Sequence, residues 1–303
     1  MVWDAAVTHN PPMPVPPTAH DHPANDPPVV DPAAKGRRLP WHRGRDLTGN
    51  LLFLGTGTSV GVPMVGCGCD TCLHGGPKDA RTRTSVVVGL PQGHLLIDTT
   101  PDLRTQLLRE GIGRVDAVLY THDHVDHVYG LDDVRPLCFH SGLPMPVLCE
   151  QAVEQRIRKA FDYAFSDKPP AGGGVPKLTF ARIGIDPFEV LGTRVVPLRL
   201  KHGPFDVLGF RFGKVAYCTD TSGIPAETMP RLEGLDVLVL DCLRPSSHPT
   251  HLSLDEAIEV AERVGAKRTL LVHLSHELPH EATNAALPTG VELAYDGLEV
   301  PLT

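Results

Sequence analysis

The chain has 303 residues, 41% hydrophobic and 21% charged, with a formal net charge of −8. That length can bury a sizeable core. The acidic balance argues against a protein whose main task is wrapping nucleic acid, which needs basic patches. Apolar runs such as AVLY and DVLVL are strand-sized, too short to span a bilayer.

Residues 1–45 differ from the rest. NPPMPVPPTAHDHPANDPPVVDPAAKG is rich in Pro, Ala and Asp and has no helical or strand periodicity. It cannot bury enough surface to offset its ordering entropy, so a disordered tail is expected, with the folded domain over 46–303. His20 and His22 fall in that tail and are not read as ligands. The opening residues offer no basic region followed by an apolar one, so no secretory signal is expected. Seven cysteines, an odd number, argue against a disulfide framework and for a reducing, cytoplasmic setting.

Order is expected to begin at NLLFLGTGTSVGVP, an apolar run entering a Gly/Thr/Ser turn. RTSVVVGL and GHLLIDT read as the strands of a hairpin. PDLRTQLLREGI has helical spacing with a stop at Gly111. VDAVLYTH reads as a buried strand, and PVLCEQAVEQRIRKAFDYAF as a strand turning into a helix. SDKPPAGGGVP reads as a flexible surface loop. FEVLGTRVVPLRLKHG, LGFRFGKVAYCTDTS and LDVLVLDC supply further strands. SLDEAIEVAERVGA is an amphipathic helix with acidic residues in its first turn, and RTLLVHLSHE is a last buried strand. Two sheets covered by helices, a layered α/β domain, fit this order.

The chemistry concentrates in YTHDHVDHVYG, residues 120–130. His122 and His124 are two apart in extended chain, so their side chains can converge on one ion. Asp126 and His127 are adjacent and point differently, which suits a second ion nearby. Imidazole with carboxylate is the ligand set of Zn, Mn or Fe doing hydrolysis. Two ions about 3.5–4 Å apart can hold a bridging hydroxide as nucleophile.

The HxHxDH spacing resembles the signature of the metallo-β-lactamase fold superfamily. The resemblance implies a four-layer αββα sandwich and further ligands in a set order. His202, Asp220 and His273 stand in that order, each ending an apolar run. By the resemblance, His122, His124 and His202 bind one ion, Asp126, His127 and His273 the other, and Asp220 bridges them. Asp98, in LLIDTTPD, would orient a ligand histidine from behind. His251 precedes a helix, with Glu256 five residues on. In the phosphodiesterase branches, including tRNA 3′-end processing enzymes, a histidine there with nearby acidic residues serves the leaving group.

FLGTGTSVGVPMVGCGCDTC carries Cys67, Cys69 and Cys72 within six positions. The residues alone admit a metal clip, a disulfide, a redox pair or a nucleophile. The compartment disfavours a disulfide, and no thioredoxin-like context supports a redox pair. This stretch is similar to the start of PhnP-type phosphodiesterases, which act on a five-membered cyclic phosphate of ribose. That resemblance implies a closed structural zinc site from Cys67, Cys69, Cys72 and His276. Cys138, Cys149, Cys218 and Cys242 lie on or beside apolar runs and read as small core residues.

The expectation is a dinuclear metal-dependent phosphodiesterase, with two Mn or Zn ions at the active site and one structural zinc. Phosphoribosyl 1,2-cyclic phosphate is the leading substrate by resemblance, and His251 and Asp126 are the expected catalytic side chains. A small-molecule substrate is expected, without nucleic acid or membrane, and a homodimer is the default assembly. The alternatives are tRNA 3′ processing, thioester or lactam hydrolysis, and a non-enzymatic scaffold. The chain shows no basic Gly-flanked arm of the kind the RNA-processing branch carries.

Overall fold

The computed structural model describes residues 44–166 and 174–302. The expected tail lies outside the described residues but for its last two, as do residues 167–173 of the expected surface loop. Among the described residues, fourteen strands follow in chain order: β1 (Asn50–Gly55), β2 (Ser85–Leu90), β3 (Gly93–Ile97), β4 (Ala117–Leu119), β5 (Met145–Cys149), β6 (Leu178–Arg182), β7 (Phe188–Val190), β8 (Thr193–His202), β9 (Phe205–Phe212), β10 (Val215–Cys218), β11 (Val237–Asp241), β12 (Arg268–Val272), β13 (Val291–Leu293) and β14 (Glu299–Pro301). They form two seven-stranded sheets, ordered β14-β1-β2-β3-β4-β5-β6 and β13-β12-β11-β10-β9-β8-β7. The α-helices are α1 (Asp70–His74), α2 (Leu103–Glu110), α3 (Val125–Val128), α4 (Arg135–Ser141), α5 (Gln151–Ala160), α6 (Leu254–Val264) and α7 (His280–Ala286).

The layering follows from the period of two along each strand. Leu51 and Phe53 of β1 face the second sheet, where Leu208, Phe210 and Leu270 meet them in one buried cluster. Leu52 and Leu54 point the other way, onto a cluster with Leu103, Leu107, Val128 and Ile157 of the helices. The outer face of the second sheet packs Leu198, Leu238 and Leu271 against Ala257 and Val260 of α6. Both faces of both sheets are covered, so the strands read as continuous apolar runs. The result is the expected four-layer αββα sandwich.

Local signals placed the longer elements well. α2 ends at Gly111, whose φ of 68° and amide bonds to Leu107 O and Leu108 O close the helix. α6 begins on a capping box between Ser253 and Glu256 and ends at Gly265. The elements without a clear sequence signal are short: β6, β13, β14, α1, α3, α4 and α7 span three to seven residues, or four in α3. Such pieces are made by tertiary packing rather than by periodicity.

Strands β3 to β6 run parallel, as do β10 to β13. Chain leaving β3, β4, β10, β11 and β12 therefore emerges at common rims, where open α/β sheets collect ligands. Three residues just past these strand ends hold left-handed backbone: Asp98 (φ 63°), Asp220 (φ 53°) and His273 (φ 61°). Non-glycine residues in that region are uncommon, and strained backbone concentrates at functional sites.

One close approach holds the turn after α3. The Gly130 amide donates to Thr99 O (2.9 Å), and the Thr99 amide donates to His127 O (2.7 Å). A Cβ on Gly130 would sit 1.8 Å from Thr100 O. Gly130→Ala is expected to cost about 1–3 kcal/mol as overpacking. Thermal unfolding should register this as a drop in Tm of roughly 2–4 °C per kcal/mol. An unchanged Tm would mean that the turn yields freely.

Candidate metal centre

His122 and His124 follow β4, and His202 is the last residue of β8. Their ligand nitrogens lie within 4.8 Å of one another. Asp126 and His127 sit on α3 rather than on an extended loop, which turns them toward a neighbouring point. There, ligand atoms of Asp126, His127, Asp220 and His273 also lie within 4.8 Å of one another. Asp220 touches both groups: Oδ1 is 3.3 Å from His127 Nε2, and Oδ2 is 3.3 Å from His273 Nε2 and 4.0 Å from His122 Nε2. All seven side chains singled out from the sequence thus meet at one place.

Hydrogen bonds from behind fix which nitrogen each ring presents. Asp98 is fully buried, and its Oδ2 accepts from His127 Nδ1 (2.8 Å) and the Thr121 hydroxyl (2.8 Å). The same hydroxyl lies 2.9 Å from His122 Nδ1. His202 Nδ1 donates to Thr250 O (2.8 Å). Each of these rings is held through Nδ1 and offers Nε2, the arrangement of a metal-bound histidine. Nε2 of His122, His127 and His273 is buried without a hydrogen-bond partner. Such orphaned polar atoms are costly, and their convergence beside two carboxylates fits a pair of divalent cations.

The electrostatics point the same way. Burial, aided by His127, pushes His122 well below its usual range and keeps it neutral. Burial also opposes charge on His127 and His273, but carboxylates outweigh it. Asp220, Asp126 and Asp98 hold His127 well above its usual value, and Asp220 with Asp126 and Asp241 carries His273 up to about 9. Against burial, His127 and His273 hold Asp220 well below the carboxylate range, and His127 does the same for Asp126. This dry site demands positive charge, and binding of a cation there would expel imidazole protons.

His251 flanks this centre. Its ring stacks on His273 with centroids 4.5 Å apart and lies 4.7 Å from His202. The acidic partner of His251 is not Glu256. That carboxylate accepts from the Ser253 amide (2.8 Å) and hydroxyl (2.6 Å) and caps α6. The partner is Asp241, fully buried, whose Oδ1 lies 3.0 Å from His251 Nδ1. Asp241 also accepts from the amides of Asp220 (3.1 Å) and Leu252 (2.9 Å). It ends the DVLVLD run, the same cue that marks His202, Asp220 and His273, and could have been found by it.

The thiols form a separate cluster. Sγ of Cys67, Cys69 and Cys72 and a nitrogen of His276 lie within 4.8 Å of one another. His276 Nδ1 is 3.2 Å from Cys69 Sγ and 3.6 Å from Cys67 Sγ. Amides of Met64 and Cys69 donate to Cys72 Sγ and Cys67 Sγ (3.4 Å each). A Cys₃His set at these distances fits tetrahedral zinc. The Thr58 amide donates to Leu274 O and the Leu274 amide to Thr56 O, so the thiol-bearing turn is tied to the chain after β12. Cys138, Cys149, Cys218 and Cys242 are buried, as expected of core residues. Between the two clusters opens a cleft of about 360 Å³, lined in part by His251, Arg244, His248 and His276.

Among the described residues, no helix is long and apolar enough to cross a membrane.

Residues 94–274 match the Beta-lactamase superfamily domain. A crystal structure described as a new diphosphatase from the PhnP family is 44% identical, with a TM-score of 0.78 over 83% of this chain and 96% of that one. An octanoyltransferase of Porphyromonas gingivalis is 41% identical over 252 residues, 82% of this chain but 50% of that protein. The chain thus spans about half the length of that relative. Coenzyme PQQ synthesis protein B of Methylorubrum populi is 37% identical over 223 residues, 63% of this chain and 72% of that protein.

The His276 contact lowers the Cys69 thiol to about 6, whereas burial raises Cys72. In metal-stripped protein, iodoacetamide should therefore label Cys69 first at neutral pH, with its rate halved near pH 6. Peptide mapping across pH checks this; equal labelling of all three thiols would contradict the geometry.

Proposed function

From the premise that this chain belongs to the beta-lactamase superfamily, on its PhnP-like branch, we propose that it is a dinuclear metal-dependent phosphodiesterase of small substrates. One ion is assigned to His122, His124 and His202, the other to Asp126, His127 and His273, with Asp220 shared. Cys67, Cys69, Cys72 and His276 are assigned to a structural zinc. Two divalent ions, Mn or Zn, supply Lewis acidity that neutralises phosphoryl oxygens and makes water a better nucleophile.

The observation that carries the reading is the His251–Asp241 pair beside the seven-ligand cluster. Asp241 holds His251 through Nδ1, leaving Nε2 as the proton donor. In hydrolysis, water adds to phosphorus while the bond from phosphorus to the leaving oxygen breaks. Asp126 orients the water and takes its proton, and His251 gives a proton to the departing oxygen. An alkoxide needs that proton most, whereas thioester or lactam hydrolysis has less use for it.

A cyclic ribose phosphate such as phosphoribosyl 1,2-cyclic phosphate is the leading substrate. The family resemblance and the small cleft beside His251 support it. A second reading, hydrolysis of a diphosphate linkage, is favoured by the 44% identical relative described as a diphosphatase. The deciding experiment is initial rates of metal-loaded protein on a ribose cyclic phosphate, a 2′,3′-cyclic nucleotide, a linear aryl phosphodiester, a diphosphate diester, a precursor tRNA and a thioester. Preference for a cyclic phosphate supports the reading; preference for tRNA or thioester overturns it.

His251→Ala should slow alkyl phosphodiesters about 10²–10⁴-fold and aryl ones far less. Equal loss across leaving groups would remove His251 from that role. Elemental analysis should find about three divalent ions per chain, and Cys69→Ser should lose one together with thermal stability. A count near one would favour the scaffold.

A further inference from the structure

The loop that carries the three thiols, residues 63–80, is closed firmly at its base. Val62 and Arg81 exchange amide hydrogen bonds across it (2.8 Å each). The buried Arg81 guanidinium pins that base to the chain after β12, with Nη1 donating to Ser275 O (2.9 Å) and Nη2 to Leu278 O (2.7 Å).

Beyond the base the loop has no core of its own. No residue from 63 to 78 is buried, and Val65 is 97% exposed. Helix α1, five residues long, buries nothing. Among the described residues, the hydrogen bonds and ion pairs of 63–75 stay within that segment, except the contacts of Cys67 and Cys69 with His276. So short a helix does not hold itself together in water, and a segment without buried apolar contacts lies at the low end of local stability. The Cys₃His cluster is therefore the clasp that keeps the loop down. Met64 of this loop and His276 both line the cleft beside His251, so the clasp also holds a wall of that cleft.

The clasp can be reached from solvent. Cys67, Cys69 and Cys72 are half-buried, whereas the other four thiols are buried. Thiolate character and access decide which cysteines oxidise.

We propose that Cys67, Cys69 and Cys72 form a site of peroxide oxidation that unclasps the loop and opens one wall of the cleft. One thiolate attacks a peroxide oxygen, the O–O bond breaks, and a sulfenic acid forms as hydroxide leaves. A second thiolate attacks that sulfur, the S–S bond forms, and a second hydroxide leaves. Two sulfurs are oxidised, one peroxide is reduced, and two protons from solvent turn the hydroxides into water. Two of the four donors are lost, and one thiol with one imidazole is too few for a closed zinc site. Disulfides of this transient kind are the ones that a reducing setting allows. The proposal rests on the assignment of zinc to these four residues, not on the identity of the substrate.

The test treats the full, metal-loaded chain with a small excess of hydrogen peroxide. A chromogenic chelator reads zinc release, peptide mass mapping reads the disulfide, and hydrogen exchange reads the loop. About one zinc per chain should leave as the disulfide forms. Exchange over 63–78 should then quicken tenfold or more while the strands stay protected. KM should rise more than kcat falls, and dithiol with zinc should restore all three readouts. Cys69→Ser should show the fast exchange without peroxide. Zinc retained under peroxide, or zinc lost with exchange over 63–78 unchanged, overturns the proposal and leaves the zinc assignment standing. Purified protein with no zinc on this cluster overturns that assignment, and the proposal with it. None of these readouts except KM and kcat depends on turnover, so they stand apart from the phosphodiesterase reading.

Discussion

Negative charge packed into a dry rim is the constraint on which this structure depends. Asp98, Asp220 and Asp241 are buried, and Asp126 is nearly so. An uncompensated carboxylate in such surroundings is very costly. The fold compensates in two ways. Asp98 and Asp241 are satisfied by hydrogen bonds from Thr121, His127, His251 and backbone amides. Asp126 and Asp220 meet imidazole nitrogens that have no other partner. The first pair holds the rings in place; the second pair and those rings are left for cations.

Collecting these groups at one point strains the chain. Asp98, Asp220 and His273 take left-handed backbone just past three different strands. Strain of this kind persists only where surrounding structure over-determines it. Two covered sheets supply that rigidity, with parallel strands that deliver their ends side by side. Asp241 links the parts. It holds His251, accepts the amide of Asp220 and lies 3.9 Å from His273 Nδ1, so one carboxylate positions His251 and the seven-residue cluster together.

The thiol cluster belongs to the same architecture. His276 is three residues after His273, and it lines the cleft that begins at His251. The segment after β12 therefore carries a member of each cluster and part of the cleft wall. Whatever fixes the thiols also fixes that wall, which connects a site remote from the chemistry to the shape of the space beside it.

By itself, the sequence determined the layered class, the apolar strand runs, the longer helices, the dense HxHxDH and the three close thiols, whereas His202, Asp220, His273 and His276 joined those sets through the family resemblance. Apolar runs and a dense HxHxDH are local patterns, and a polar residue closing an apolar run is visible without coordinates. The grouping of distant ligands rested on resemblance, because spacing along a chain says nothing of which strand ends lie side by side. Only the tertiary structure decided that Asp241 and not Glu256 backs His251. Glu256 is close in sequence and is consumed by a helix cap, whereas Asp241 arrives from a neighbouring parallel strand. The same holds for Arg244 and His248, ordinary residues in a polar loop until packing folds that loop against His251 and makes a cleft.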